Sequence, residues 1–304
     1  MAPTLYLSLF LLHFWGFSER SPHRGGLIDG GETPPMDDPV RPQLQRCCGQ
    51  GTQVQNIQGQ HRLHRHLQCC RNRSYTLAIN DFANLTNEEF VLTRTGLKMG
   101  SRRNSSAFMH ADVTEVPSSM DWRTVGAVTG VKDQGKCGCC WAFAAVAATE
   151  SIKQLTTGNL VSLSEQELLD CDTSPYERVA GSCNPERPAP RAGKISGYED
   201  VPANDEEALL KAVSKQPVSV SIDGSGSQFQ FYKSGVFTGE CATMTNHAVT
   251  IVGYGENSDG IKYWLVKNSW VTDWGEAGFG MIQRESGNVE GLCGIAKRPS
   301  YPLA

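Results

Sequence analysis

Gln134-Gly-Lys-Cys-Gly-Cys-Cys-Trp-Ala-Phe-Ala-Ala-Val-Ala-Ala-Thr-Glu-Ser-Ile-Lys-Gln-Leu155 is the stretch on which the reading of this 304-residue chain turns. From Cys140 onward it is alanine-rich and apolar on nearly every side, the pattern of a buried helix rather than a surface one. Cys140 opens that helix, where free N–H groups and the helix dipole favour negative charge on a thiol. Gln134 stands six residues earlier, in reach to donate a side-chain N–H to a developing oxyanion.

Downstream, Ser164-Glu-Gln-Glu167 is a capping box with Leu163 and Leu168 as its hydrophobic staple, and Asn204-Asp-Glu-Glu207 opens a third helix through Val213. The period then changes. Residues 218–222, 248–252, 263–266 and 279–282 read as strands separated by glycine-rich turns. Helices first and strands second imply an α+β arrangement of two lobes. Upstream, Tyr75 to Ile79 reads as a short strand, and Thr86 with Glu89 as the start of a helix.

A thiol nucleophile needs a base. Of the seven histidines, only His247 falls in a predicted folded core, directly before a strand; His110 lies in a polar linker. Asn268, at the end of another strand, is placed to accept the second imidazole N–H, with Trp270 shielding that bond from water. Taken singly, a strand-edge histidine is more often structural than catalytic; taken with Cys140 and Asn268, the constellation points to nucleophilic catalysis.

Several segments together resemble the papain-like cysteine peptidases, plant members most of all. Cys137-Gly-Cys-Cys140-Trp is similar to the family's C-G-[SA]-C-[WY] signature. Thr245-Asn-His-Ala-Val249 resembles its histidine segment, and Lys267-Asn-Ser-Trp270 with Trp274-Gly275 its asparagine segment. Asp121-Trp122 resembles the mature N-terminus, and residues 79–90 the second half of the inhibitory propeptide. The resemblance spans roughly residues 72 to 304. It implies a papain-like two-lobe fold, a helical lobe (about 126–195) and a β-barrel-like lobe (about 196–304), with the cleft between them. It implies a zymogen endopeptidase working through a thiolate–imidazolium pair and an acyl-enzyme, with Cys140, His247, Asn268 and Gln134 in the catalytic roles. Thr245, Ser221, Ala248 and Arg298 would line the S2 wall beside Trp270, Arg298 favouring an acidic P2 residue. Disulfides Cys171–Cys183 and Cys241–Cys293 follow from the same resemblance. No cofactor or metal is implied, because thiolate chemistry needs none. Partners would be peptide or protein substrates and cystatin-type inhibitors, for a monomer that binds no nucleic acid. A catalytically impaired homologue that only binds peptides or inhibitors stays open as the alternative.

The departures from the family are local. His247 follows Cys140 by 107 residues and Asn268 by 128, against about 130–150 in the family. The shortfall lies between Cys171 and Cys183, where relatives carry a G-C-x-G-G turn that walls the S2 and S3 pockets. The usual partner of Cys137 belongs to that turn, and Cys139 stands where Ser or Ala is usual. Val271 replaces a glycine.

The formal net charge of −4 gives no general attraction to nucleic acid or anionic membranes. Eleven cysteines cannot all pair within the chain. Residues 1–18 read as a secretory signal, too short an apolar run for a membrane span. That route leads to an extracellular or vacuolar/lysosomal compartment where disulfides persist. Residues 19–71 form a Gly-, Pro-, Arg- and Gln-rich block of low expected order; its cysteines and histidines lack zinc spacing. Residues 72–116 read as a remnant propeptide and linker, and 117–304 as the peptidase domain. Asn72, Asn84 and Asn104 are glycosylation sequons.

Overall fold

The structure, a computed structural model, describes residues 73–97, 108–170 and 195–304. The expected Cys171–Cys183 disulfide and the sequons at Asn72 and Asn104 lie outside them.

Thr86 caps helix α1 (Asn87–Arg94) with the full reciprocal box to Glu89, as its sequence predicts. The long helix α2 (Cys140–Thr157) is buried over its first three turns and ends at Gly158, whose φ of 71° suits a left-handed cap. Helix α3 (Glu165–Asp170) starts after Ser164, whose Oγ accepts from Glu167 N. Helix α4 (Glu206–Val213) is capped by Asp205, which accepts from Ala208 N, one residue later than the Asn204 start read from sequence. Helix α5 (Ser227–Gln230) is a single turn.

The strands are β1 (Tyr75–Leu77), β2 (Met120–Asp121), β3 (Gly197–Asp200), β4 (Val218–Ile222) and β5 (Tyr232–Phe237). They continue with β6 (His247–Glu256), β7 (Lys262–Lys267), β8 (Phe279–Gln283) and β9 (Ser300–Leu303). The sheet runs β1-β5-β8-β7-β6-β4-β9-β3, with β2 added to β6. Only β5–β8 is parallel among these pairings. The barrel-like lobe expected from sequence is therefore an open sheet: its end strands β1 and β3 do not pair among the described residues.

Helix α2 packs across β6, β4 and β9. The hydroxyls of Ser219 (β4) and Thr250 (β6) both donate to Ala144 O, fixing the helix to one sheet face. A buried ionic cluster ties the same helix to β7. Lys132 Nζ lies 2.9 Å from Glu150 and 2.6 Å from Glu165, and Lys267 lies 4.0 Å from Glu150. The disulfide Cys241–Cys293 is present.

Residues 73–97 dock on this frame. Strand β1 extends the sheet at β5, a β-addition mode of peptide binding. Phe82 and Phe90 are fully buried and meet Trp270 edge-on, ring centroids 6.1 and 4.9 Å away. Each such ring contributes about 1.5–3 kcal/mol on burial, so these two anchor the segment. His110, read from sequence as part of a polar linker, is instead partly buried and stacked on Tyr301 at 5.3 Å.

Val271, close to Asn268 and Trp270 in sequence, is strained. Its φ of 56° puts a β-branched residue in the left-handed region, a genuine outlier. The left-handed conformation costs an L-residue about 1–2 kcal/mol, and a glycine there returns some of that gain as entropy. Val271→Gly is expected to raise the thermal midpoint by roughly 2–4 °C. An unchanged or lower midpoint in a calorimetric scan would show that the turn carries no such strain.

Candidate active site

His247 is the first residue of β6, paired with Ile222 of β4. Asn268 follows the end of β7, and the β6–β7 pairing brings the two together across 21 residues of chain. His247 Nε2 and Asn268 Oδ1 are 2.8 Å apart. Asn268 Oδ1 also accepts from Ser269 N at 2.8 Å, which assigns it as the oxygen. Nε2 is then the ring's donor, leaving Nδ1 as the basic nitrogen. Nδ1 has no hydrogen-bond partner among the described residues. Trp270 stacks on the imidazole, centroids 4.3 Å apart and planes 25° from parallel.

Cys140 begins α2, as expected, and Cys139 occupies its N-cap position without a side-chain cap bond. Gln134 is fully buried, and its amide is oriented by Ser269 Oγ, which donates to Oε1 at 2.6 Å. Sequence reasoning missed Ser269; the hydroxyl gave no signal because it acts only through a partner 135 residues away.

The cleft is covered by the chain's own residues 94–97. Gln134 Nε2 donates to Arg94 O at 3.0 Å, and Trp270 Nε1 donates to the same oxygen at 3.2 Å. Gly96 N and Leu97 N both donate to Asn246 O at 3.0 Å. Leu97 packs with Cys140, Ala144, Ala145, Ile195 and Ala248. A carbonyl thus sits on the intended oxyanion donor, and an apolar side chain sits beside the thiol.

In this covered state the thiol lacks the lowered pKa that the helix N-terminus and a thiolate–imidazolium pair imply for the working enzyme. Burial instead pushes the Cys140 thiol up to about 11, against the opposing pull of the backbone amides of Ala248, Trp141, Cys140 and Gly96. Burial also lowers His247 to about 4, only partly opposed by Asn268. Both groups are neutral in this state, because charging either means ionising it out of reach of water.

Of the expected pocket residues, Ser221 and Ala248 are cross-strand partners and share a face. Ala248 touches Leu97 through the same cluster. Thr245 and Arg298 are half-buried. Asn84 is exposed.

The sequence profile described as papain family cysteine protease matches residues 116–174 and 172–303, the two segments meeting where the sequence reads short. The chain is 48% identical over 266 residues to the senescence-specific cysteine protease SAG12 of Arabidopsis thaliana, covering 76% of this chain and 77% of that protein. The crystal structure of the Amb a 11 cysteine protease, a major ragweed pollen allergen, in its proform matches with a TM-score of 0.74. Its identity is 42%, over 81% of this chain and 85% of that one. The bromelain protease from Ananas comosus, solved in complex with the E64 inhibitor, matches with a TM-score of 0.59 at 45% identity. It covers 62% of this chain and 99% of its own. The chain belongs to the papain family of cysteine proteases. It is a cysteine endopeptidase made as a zymogen.

Proposed function

We propose that Cys140 is the nucleophile, His247 its base, Asn268 the residue that orients the imidazole, and Gln134 the side-chain donor to the oxyanion. Once residues 94–97 leave, His247 Nδ1 takes the Sγ proton. The thiolate attacks the scissile carbonyl carbon, and Gln134 Nε2 stabilises the oxygen that gains charge. The imidazolium gives its proton to the departing amine, leaving a thioester. Water, deprotonated by His247, then releases the acid and restores the thiol. The observation that carries this reading is a segment of the chain's own backbone lying over these residues, its Arg94 carbonyl held by Gln134 and its Leu97 side chain packed on Cys140.

Leu97 supports an apolar side chain in the pocket formed with Ala248, Ile195 and Ala145, with Ser221, Thr245, Trp270 and Arg298 around it. The intact Cys140, His247, Asn268 and Gln134 support turnover over binding alone. We assign the chain to the secretory route, extracellular or vacuolar, as a monomer open to cystatin-type inhibitors, with an N-glycan at the exposed Asn84.

The pKa directions set how acid releases the cover. Covered His247 holds its proton less tightly than an ordinary imidazole. As pH falls from about 6.5 toward 4, the uncovered state therefore takes up a proton that the covered state does not. Acid favours uncovering by up to about 1.4 kcal/mol per pH unit in that window. Cys140 has the opposite sign: burial raises its thiol, so rising pH favours the uncovered state, in which the thiol gives up its proton more readily. The cover is thus most secure at intermediate pH. Full-length chain assayed on a neutral peptide in reducing buffer should be silent at pH 7 and gain activity below pH 6. Equal initial rates at pH 7 and pH 5 would contradict the proposed cover.

A further inference from the structure

Arg94 is the only charged residue among residues 94–97. While its carbonyl occupies Gln134 and Trp270, its guanidinium Nη1 lies 3.0 Å from Asp133 Oδ1 and sits over the Phe82 ring at 4.8 Å. Both charged groups are mostly shielded, with 14% and 17% of their side chains exposed.

Asp133 belongs to the cleft wall rather than to the cover. It directly precedes Gln134, bridges backbone-to-backbone with Trp270, and accepts from Gly135 N at 2.9 Å through the same Oδ1. These holds do not involve residues 94–97. When residues 94–97 leave, Arg94 leaves with them, and Asp133 stays on the cleft wall beside Gln134. Two other charged side chains lie on this loop: Lys132, paired with Glu150 and Glu165, and Lys136, which is exposed and acts electrostatically on Glu89 of α1.

The side of the scissile bond follows from the chemistry. The departing amine must collect its proton from His247, and Trp270 both stacks on that ring and bridges Asp133. This link to Trp270 favours the leaving-group side for the carboxylate and leaves the acyl side to the Leu97 pocket.

We propose that Asp133 is a specificity-determining residue of the mature enzyme, taking an arginine or lysine of the substrate on the leaving-group side of the cleaved bond. In the zymogen Arg94 fills that position. The bidentate-capable guanidinium and a fixed carboxylate form a charge-assisted pair, stronger than a neutral hydrogen bond. This inference rests on the proteolytic reading above.

The test uses full-length chain activated in mild acid and a set of internally quenched peptides. These differ only in carrying Arg, Gln or Glu at each of three positions on either side of the cleaved bond. At one leaving-group position the Arg peptide should exceed the Glu peptide in kcat/KM by roughly 5- to 20-fold, mostly through KM. Asp133→Asn, which keeps an acceptor for Gly135 N, should bring that ratio close to one, and Asp133→Lys should invert it. Ratios within one enzyme are unaffected by how much of each variant folds. Equal rates for all three peptides, while an epoxide still labels Cys140, would overturn the assignment and leave the protease reading intact. An Arg preference that survives Asp133→Asn would overturn it too. A chain that neither labels nor cleaves any peptide would remove the proteolytic reading and this inference with it.

Discussion

Cys140→Ser lowers kcat/KM of the acid-activated enzyme by on the order of 10⁴-fold or more, with little change in unfolding midpoint. The substitution is nearly isosteric, and Cys140 is fully buried at the start of α2, so the helix and its packing persist. What changes is acidity. An imidazole held by Asn268 can take a thiol proton, but a serine hydroxyl is far weaker as an acid and needs a triad built for it. His247→Ala should cost a comparable factor by the same route, and the double variant should cost little more than either alone, because the pair acts as one unit. Peptide turnover after acid activation measures this. A serine variant retaining more than about a hundredth of wild-type activity would place the nucleophile elsewhere.

Gly96→Val activates the uncleaved chain at pH 7, raising peptide turnover by about 10- to 100-fold. A Cβ at Gly96 would lie 2.2 Å from Gly138 O and 2.8 Å from Gly138 Cα. Those are backbone atoms, and Gly138 itself holds a φ of 68°, so the wall cannot retreat as a flexible side chain would. The clash falls between the Arg94 carbonyl on Gln134 and the Leu97 side chain on Cys140. It leaves Phe82 and Phe90 free to stay docked on Trp270. A loss of about 1.4–2.8 kcal/mol in cover affinity corresponds to that 10- to 100-fold gain in the uncovered fraction. The readout is turnover together with chain length on a gel, which separates uncovering from cleavage. If the variant stays silent at pH 7 but wakes normally in acid, residues 94–97 are not the barrier.

The sequence carries the elements that depend on local chemistry. The capping boxes at Thr86 and Ser164, the apolar run after Cys140 and the strands β4, β6, β7 and β8 between glycine-rich turns are all readable from a few neighbouring residues. His247 and Asn268 could be paired because each stood at a strand end. Strands β2, β3, β5 and β9 escaped. β9 contains Pro302, which cannot donate to a ladder, and it finds its place through pairing with β3, about 100 residues earlier. The neutral state of the dyad escaped for the same reason. It follows from Arg94 and Leu97 lying over Cys140 and Gln134, a contact that no local pattern encodes. Val271 was visible as a departure, but only its φ turns the departure into strain.

The most direct measurement is site-mapped labelling of the full-length chain by a thiolate-directed epoxide, at pH 7 and after exposure to pH 5, with peptide mass analysis. Cys140 should be modified only after acid exposure, ahead of Cys137 and Cys139, and not in His247→Ala. Modification of Cys140 at the same rate at both pH values, or spread evenly over the three cysteines, would contradict a masked Cys140–His247 dyad.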